Sequence, residues 1–380
     1  MMLVRWGRAL TSFWVVALAA VVLFGVGVAA VRAQADQRAQ WAKSKHANRL
    51  RPTLEATADG RRGPVAAHCG RCHAEQGFLA WLPQMQRGNP GLIAKPDGSA
   101  ADVPYLVGIG LSRFSVRPIT CTTCHQADFT LRQAGSTPLL PAGFRAIGVG
   151  LGAQCMLCHN SRNGAIVWNQ EDPRRYTAPH TSSQGDVIMG KNVYFLDYGN
   201  NFISPHASFI GDSCVTCHVR MSKEPHTFKA DPMVCSRCHG REMTTARVQG
   251  PTKTLIHELE EVITGKILAS RDRIRAARAW DAKVYAFTET VTIDPVTIAR
   301  IELTEVAGQQ GVVLHLSTGR RITTQLGELR DAAGRPTFAT SDPIVRAGWN
   351  YWLVEGDGSF GVHNPRFVRQ VILTTLDALK

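Results

Sequence analysis

The chain has 380 residues and a formal net charge of +13, from 43 Lys and Arg against 30 Asp and Glu. A net positive charge of this size is typical of nucleic-acid-binding proteins. No stretch of this chain interleaves aromatic with basic residues, however, so we expect no nucleic-acid partner. Aromatic residues make up only 7%, and 34 glycines with 19 prolines favour loops and short helices over a large side-chain core.

The N-terminus carries a hydrophobic segment. Residues Ala9–Val31 contain no charged side chain and follow Arg5 and Arg8. This length is enough for a helix to span a bilayer, and the basic start predicts a cytoplasmic N-terminus with the remainder exported. We therefore predict that residues 1–32 are a single-pass anchor in a bacterial inner membrane. A cleavable signal peptide is the alternative, since Ala33–Ala35 is typical of a cleavage site, and both interpretations put the rest of the chain in the periplasm.

All ten cysteines lie within residues 33–250, arranged as five C-x-x-C-H motifs with none left over. This pattern is typical of c-type haem attachment, because the two thiols can bond to the two vinyl groups of one porphyrin and the histidine then becomes the proximal iron ligand. A zinc site or a redox disulfide needs no histidine directly after each cysteine pair. The sequence predicts five covalently bound haem c groups, attached at Cys69, Cys72, Cys121, Cys124, Cys155, Cys158, Cys214, Cys217, Cys235 and Cys238.

The predicted proximal ligands are the histidines that close the five motifs, namely His73, His125, His159, His218 and His239. The motifs are unequally spaced, so residues 33–250 form a five-haem domain rather than a tandem repeat. Each haem brings two propionates, which offset much of the positive charge of the polypeptide.

Residues 251–380 lack cysteine and show a different pattern. Apolar residues at helical spacing between Leu255 and Ile267 predict an amphipathic helix. Alternating residues then predict a small antiparallel β insertion at about residues 291–343. Asn364 as a cap, followed by Pro365 at the first helical position, predicts a C-terminal helix. This region is therefore predicted to be helical with a β insertion.

Eight of the thirteen histidines lie outside the motifs, and they decide how many irons can have two axial ligands. A haem with two imidazoles suits electron transfer, whereas an open position can bind and reduce a substrate. His257 falls on a predicted solvated helix face, His315 on a strand far from any motif, and His68 directly before a haem cysteine. The predicted distal ligands are the other five: His46, His180, His206, His226 and His363.

Several segments resemble the multihaem cytochrome c superfamily, which includes ammonia-forming nitrite reductases and octahaem reductases. They are Trp41–Ala47, Cys69–Phe78, Cys155–His159, Ala178–Asp186, Cys214–His218, His226–Phe228 and Gly358–Pro365. The resemblance implies distal ligation by His46, His180, His226 and His363, and it is less firm for His206. The chain departs from the nitrite reductases because it has no C-x-x-C-K motif for a lysine-ligated haem, and because the β insertion has no counterpart that we can match.

We therefore expect a mainly α and irregular multihaem cytochrome c fold with an N-terminal transmembrane helix and a small antiparallel β element near the C-terminus. The expected function is electron transfer by a membrane-anchored periplasmic pentahaem cytochrome, between a membrane respiratory or photosynthetic component and a redox protein partner. A quinol-oxidising complex is a possible partner. The alternative is a reductase of nitrogen or sulfur oxyanions with one open haem, in which His180 or His206 has another role.

Overall fold

The computed structural model of the protein describes residues 35–60, 62–162, 178–197, 201–281, 286–306 and 309–380. Up to residue 240 these residues form short helices joined by loops. The helices are α1 (residues 35–42), α2 (Leu50–Glu55), α3 (Ala66–His73), α4 (Glu75–Gln86), α5 (Val103–Gly108), α6 (Cys121–Cys124), α7 (Ala153–Met156), α8 (Gln184–Met189), α9 (Pro205–Ser208) and α10 (Ser236–His239). A π-helical turn covers Thr216–Arg220.

The C-terminal part begins with the 25-residue helix α11 (Thr245–Ala269). Six strands follow, and two further helices close the chain. These elements are β1 (Ala276–Asp281), β2 (Ala286–Thr292), β3 (Ile298–Val306), β4 (Gln309–Leu316), β5 (Arg321–Thr324), β6 (Leu329–Arg330), α12 (Pro343–Gly356) and α13 (Pro365–Ala378).

The strands form two antiparallel sheets of three strands each, in the orders β2-β1-β6 and β3-β4-β5. In the second sheet Leu303 pairs with Val312 and Ile301 with Leu314, so one face of both strands is apolar and buried. The antiparallel β element predicted from residue alternation is confirmed. It is larger than expected, because the first strand begins at Ala276, well before residue 291.

The predicted helices of the C-terminal part are also confirmed. Helix α11 contains the predicted apolar stripe, and its buried positions include Leu259, Ile263 and Ile267. Helix α13 begins as the sequence indicates, with the Asn364 side chain accepting a hydrogen bond from the Phe367 N–H at 3.3 Å. This cap stabilises the first turn of α13, and the apolar face of the helix, which includes Val368, Val371 and Ile372, is buried in the core.

Two hydrophobic cores hold the chain together. One joins α11, α12, α13 and the sheets, with fully buried side chains such as Ile263, Leu353 and Phe367. The other lies among the short helices, around Phe78, Trp81 and Leu106, and contains many alanines.

Within the described residues, no helix is both long and apolar enough to cross a bilayer. The N-terminal anchor predicted for residues 1–32 lies outside them.

Candidate haem sites

Each C-x-x-C-H motif occupies a single helical turn. In three of them the histidine N–H donates to the carbonyl of the first cysteine, at 2.8 Å for His125, 3.0 Å for His159 and 2.9 Å for His239. Residues three and four positions apart lie on the same face of such a turn. Both thiols and the imidazole of a motif therefore face the same side, as attachment and ligation of one porphyrin require. All ten thiols are free of disulfides.

The first motif is held by close contact between two helices. Gly77 in α4 lies directly over the backbone of Gly70 in α3, and a Cβ atom at Gly77 would collide with the Gly70 carbonyl. Trp81 packs in the same core and its indole N–H donates to the Gly91 carbonyl at 2.8 Å. This packing fixes Cys69, Cys72 and His73 on α3.

Four motif histidines lie opposite one of the predicted distal histidines. The ring centroids are 5.9 Å apart for His73 and His180, 6.1 Å for His159 and His46, 6.2 Å for His218 and His363, and 6.1 Å for His239 and His206. Two imidazoles that each hold a nitrogen about 2 Å from one metal ion have centroids roughly 6 Å apart. The residues of these four sites therefore fit a haem iron with two axial histidines.

The fifth pair is His125 with His226. The pKa of the His226 imidazole is lowered, mainly by burial and secondly by the nearby His125, so the two side chains are electrostatic neighbours. The backbone N–H of His226 donates to the Gln40 side chain at 3.1 Å, which ties this loop to α1. We number the sites by motif order: site 1 (His73, His180), site 2 (His125, His226), site 3 (His159, His46), site 4 (His218, His363) and site 5 (His239, His206).

Hydrogen bonds at Nδ1 orient five of these ten rings. The Nδ1–H groups of His125 and His218 donate to the carbonyls of Phe129 and Phe228, at 2.7 and 2.9 Å. Both phenylalanines have a left-handed backbone, with φ of 65° and 59°. A ring nitrogen fixed in this way leaves Nε2 free to ligate a metal ion.

Three other histidines donate to side chains. His73 donates to Glu55 Oε2 at 2.7 Å, His159 to Gln184 Oε1 at 3.1 Å and His363 to Asp357 Oδ1 at 2.6 Å. These acceptors lie outside the motifs: Glu55 on α2, Gln184 on α8 and Asp357 at the end of α12. Sequence reasoning did not find them, because no pattern in one sequence shows which acceptor lies beside a given imidazole.

Burial favours the neutral form of several of these imidazoles, which is the form that binds metal ions. Burial lowers the pKa of His46 to about 4, and it also lowers the pKa values of His180, His159 and His218. For His363, burial lowers the pKa but the Asp357 carboxylate raises it by more, so the net shift is upward.

The sites adjoin one another through their cysteines. The Cys72 thiol of site 1 and the Cys158 thiol of site 3 lie close enough to shift each other's pKa in opposite directions, and the same holds for Cys155 of site 3 and Cys214 of site 4. Cys124 of site 2 interacts electrostatically with Cys155 and Cys158, which places site 2 beside site 3 as well.

The series continues from site 4 to site 5, because Cys217 interacts electrostatically with Cys235 and Cys238. Site 3 is thus central, whereas Cys121 of site 2 and Cys238 of site 5 are exposed. The five sites form one contiguous, branched series, in which site 3 adjoins sites 1, 2 and 4, and site 5 follows site 4.

The three histidines not predicted as ligands occupy other environments. The His257 side chain is 70% exposed and lies beside Glu260 and Glu261. His315 lies on β4, the central strand of its sheet, and pairs with Glu302 at 2.8 Å. His68 is buried at the cavity of site 1, with its Nδ1 atom 3.3 Å from Arg71.

Comparison with known proteins adds one similarity. No protein-family model and no curated protein matches the chain. Among solved structures, the chain is similar to the outer cell wall cytochrome OcwA, with 15% sequence identity and a TM-score of 0.48. The match covers 90% of this chain and 50% of that one, so the chain spans about half the length of that cytochrome.

Proposed function

We propose that the protein is a multihaem c-type cytochrome that carries five covalently bound haems, each with two axial histidines, and that it transfers electrons. The observation that carries the proposal is the pairing of motif histidines with second histidines, with ring centroids 5.9 to 6.2 Å apart at four sites. Ten motif cysteines supply the attachment points.

When bound, a haem of this type supplies a one-electron couple, and two imidazole ligands keep its iron closed to other molecules. The residues of the chain hold the imidazole rings in place through hydrogen bonds at Nδ1, as at His125, His218 and His363. Burial keeps imidazoles such as His46 and His180 neutral. The contacts between Cys72 and Cys158 and between Cys155 and Cys214 bring neighbouring sites together, which suits stepwise electron transfer through the series.

We further propose that the N-terminal segment anchors the protein in the inner membrane with its haem domain in the periplasm. The support is the uncharged run Ala9–Val31 behind Arg5 and Arg8. Electrons would then pass between a membrane respiratory or photosynthetic component, such as a quinol-oxidising complex, and a redox protein. Sites 2 and 5, with exposed Cys121 and Cys238, are the proposed points of electron entry and exit.

Electron paramagnetic resonance of the oxidised protein tests the proposal, with and without hydroxylamine or nitrite. We expect five haems per chain, all low-spin, and no change with either additive. A high-spin signal from about one haem in five that shifts with an additive would favour the reductase with one open haem.

Two alanine variants sharpen this test. His180→Ala removes one ring of a 5.9 Å pair and should convert one low-spin signal to a high-spin signal that responds to hydroxylamine. His257→Ala removes an exposed histidine beside Glu261 and should leave the spectrum unchanged. If His180→Ala leaves all signals low-spin, His180 is not an axial ligand.

A further inference from the structure

The hydrogen-bond acceptors at the ligand histidines are not equivalent. His73 of site 1 and His363 of site 4 donate from Nδ1 to the carboxylates of Glu55 and Asp357. The acceptors of His125 and His218 are backbone carbonyls, and the acceptor of His159 is the amide oxygen of Gln184. His206 of site 5 bonds to the backbone at residues 362 and 363. Of these six histidines, only His73 of site 1 and His363 of site 4 donate to a charged acceptor.

A carboxylate acceptor changes the ligand more than a carbonyl does. It draws the Nδ1 proton toward itself, which makes the opposite nitrogen a stronger electron donor to the metal ion. Its negative charge also stabilises the more positive, oxidised state of the metal centre. Both effects act in the same direction and lower the reduction potential.

The two carboxylates differ in how strongly they can lower the reduction potential of the adjacent haem. The Asp357 side chain is fully buried, and its other described partners are the backbone N–H and hydroxyl of Ser359, which are neutral donors. Glu55 is 14% exposed and also pairs with Arg51 at 3.2 Å. The Arg51 cation offsets part of the Glu55 charge, so the Asp357 effect is the larger one.

We propose that Asp357 and Glu55 are positioning residues that lower the reduction potentials of the haems at sites 4 and 1 below those of sites 2, 3 and 5. The inference rests on the proposed function, because it requires His363 and His73 to be axial ligands. On this proposal, the reduction potential of each haem depends on the group that accepts a hydrogen bond from its ligand histidine.

The arrangement of the sites gives this difference a role. Site 3 adjoins site 1 through Cys158 and site 4 through Cys155. Gln184 links sites 3 and 4 directly, since its side-chain oxygen accepts from His159 and its nitrogen donates to the Asp357 carbonyl at 2.9 Å. The central site therefore lies between two sites of lower potential and holds an electron in preference to them.

The test is a redox titration of the full-length protein, with haem spectra and low-spin resonance signals recorded at each potential. Asp357→Asn keeps the size of the side chain and removes its charge. We expect one of the five potentials to rise by at least about 59 mV, a tenfold change in a one-electron equilibrium constant, with five low-spin haems retained. Glu55→Gln should raise a different potential by a smaller amount.

Two controls separate charge from shape and from remote effects. Asp357→Glu keeps a carboxylate at the position and should stay nearer the wild-type potential than Asp357→Asn. Asp377→Asn neutralises a carboxylate that is 75% exposed on α13 and should change none of the potentials.

The inference is overturned if Asp357→Asn and Glu55→Gln retain five low-spin haems and neither raises a potential. It is also overturned if Asp357→Glu raises the same potential as much as Asp357→Asn does. A wild-type protein without five low-spin haems would instead contradict the proposed function, so the two failures are distinguishable.

Discussion

The described α-helices between residues 62 and 240 are 4 to 12 residues long, whereas those from residue 245 onward are 14 to 25 residues long. We call residues 62–240 the motif region and residues 245–380 the C-terminal region. Short helices gain little from their own backbone hydrogen bonds and depend on packing against other groups. In the C-terminal region, the helices pack against side chains of the same region. In the motif region, bound haems would provide much of the surface against which the short helices pack.

The backbone shows the same contrast. Of the seven described non-glycine residues with left-handed φ, six precede residue 245 and one, Phe360, follows it. Such conformations cost on the order of 1–2 kcal/mol each. In the motif region two of them, Phe129 and Phe228, aim their carbonyls at ligand histidines. In the motif region, backbone strain at these two residues therefore helps to orient ligand imidazoles. The described strands and long helices of the C-terminal region contain no left-handed non-glycine residue.

The largest expected effect separates the two regions. Cys155→Ser with Cys158→Ser removes the attachment points of central site 3, which contacts sites 1 and 4. Because the short helices around it lose that anchor, we expect amides of the motif region to lose protection in hydrogen exchange. Amides of α11, α12, α13 and the β3–β4 pair should stay protected, since the core of these elements contains no haem motif.

The matched control is Cys235→Ser with Cys238→Ser at exposed terminal site 5. It should lose one haem and protection near α10 only. Uniform loss of protection across both regions in the site 3 variant would show that the chain folds as one cooperative unit.

The second prediction concerns the core of the C-terminal region. Phe367 is fully buried and packs against Phe202, with ring centroids 6.0 Å apart and an interplanar angle of 57°. Phe367→Ala should lower the free energy of unfolding by about 3–5 kcal/mol, measured by denaturant titration with far-ultraviolet circular dichroism. Phe114→Ala, at a side chain that is 89% exposed, is the control and should change it by less than about 0.5 kcal/mol. Equal losses in both variants would contradict this placement of the core.

The two regions also differ in how far the sequence predicts them. Helices α11 and α13 follow from apolar spacing and from the Asn364 and Pro365 signals, because these patterns are local. Strand β1 does not follow from the sequence, since Ala276, Ala277 and Ala279 give no alternation of apolar and polar side chains. Its partner β6 is far along the chain, so only tertiary contacts identify it.

In the motif region the sequence predicts chemistry better than geometry. The C-x-x-C-H motifs are local, and counting histidines selects the five distal candidates. Which of them faces which motif depends on the path of the chain: His46 precedes every motif yet faces His159, and His363 from the C-terminal region faces His218. The acceptors Glu55 and Asp357 depend on the same long-range contacts and leave no signal in one sequence.

Asp186 joins the two regions and gives the smallest of the expected effects. Its buried carboxylate accepts from the Ser161 N–H and hydroxyl, both at 2.7 Å, and from Asn192 at 2.5 Å. Asn192 in turn accepts through its carbonyl from the Trp349 indole of α12 at 2.7 Å. Burial raises the pKa of Asp186 from 3.8 to about 6, against the opposing effect of these hydrogen bonds.

The sign of the resulting pH dependence follows from proton binding. Between pH 4 and 6 the folded protein holds the Asp186 proton more tightly than the unfolded chain, so stability falls as pH rises through this window. The loss amounts to roughly 3 kcal/mol by pH 7. Asp186→Asn cannot titrate, so its stability relative to the wild type should improve from pH 4 to 7 when both are measured by denaturant titration. Parallel pH profiles for the two proteins would show that Asp186 ionises in the folded state at its ordinary pKa.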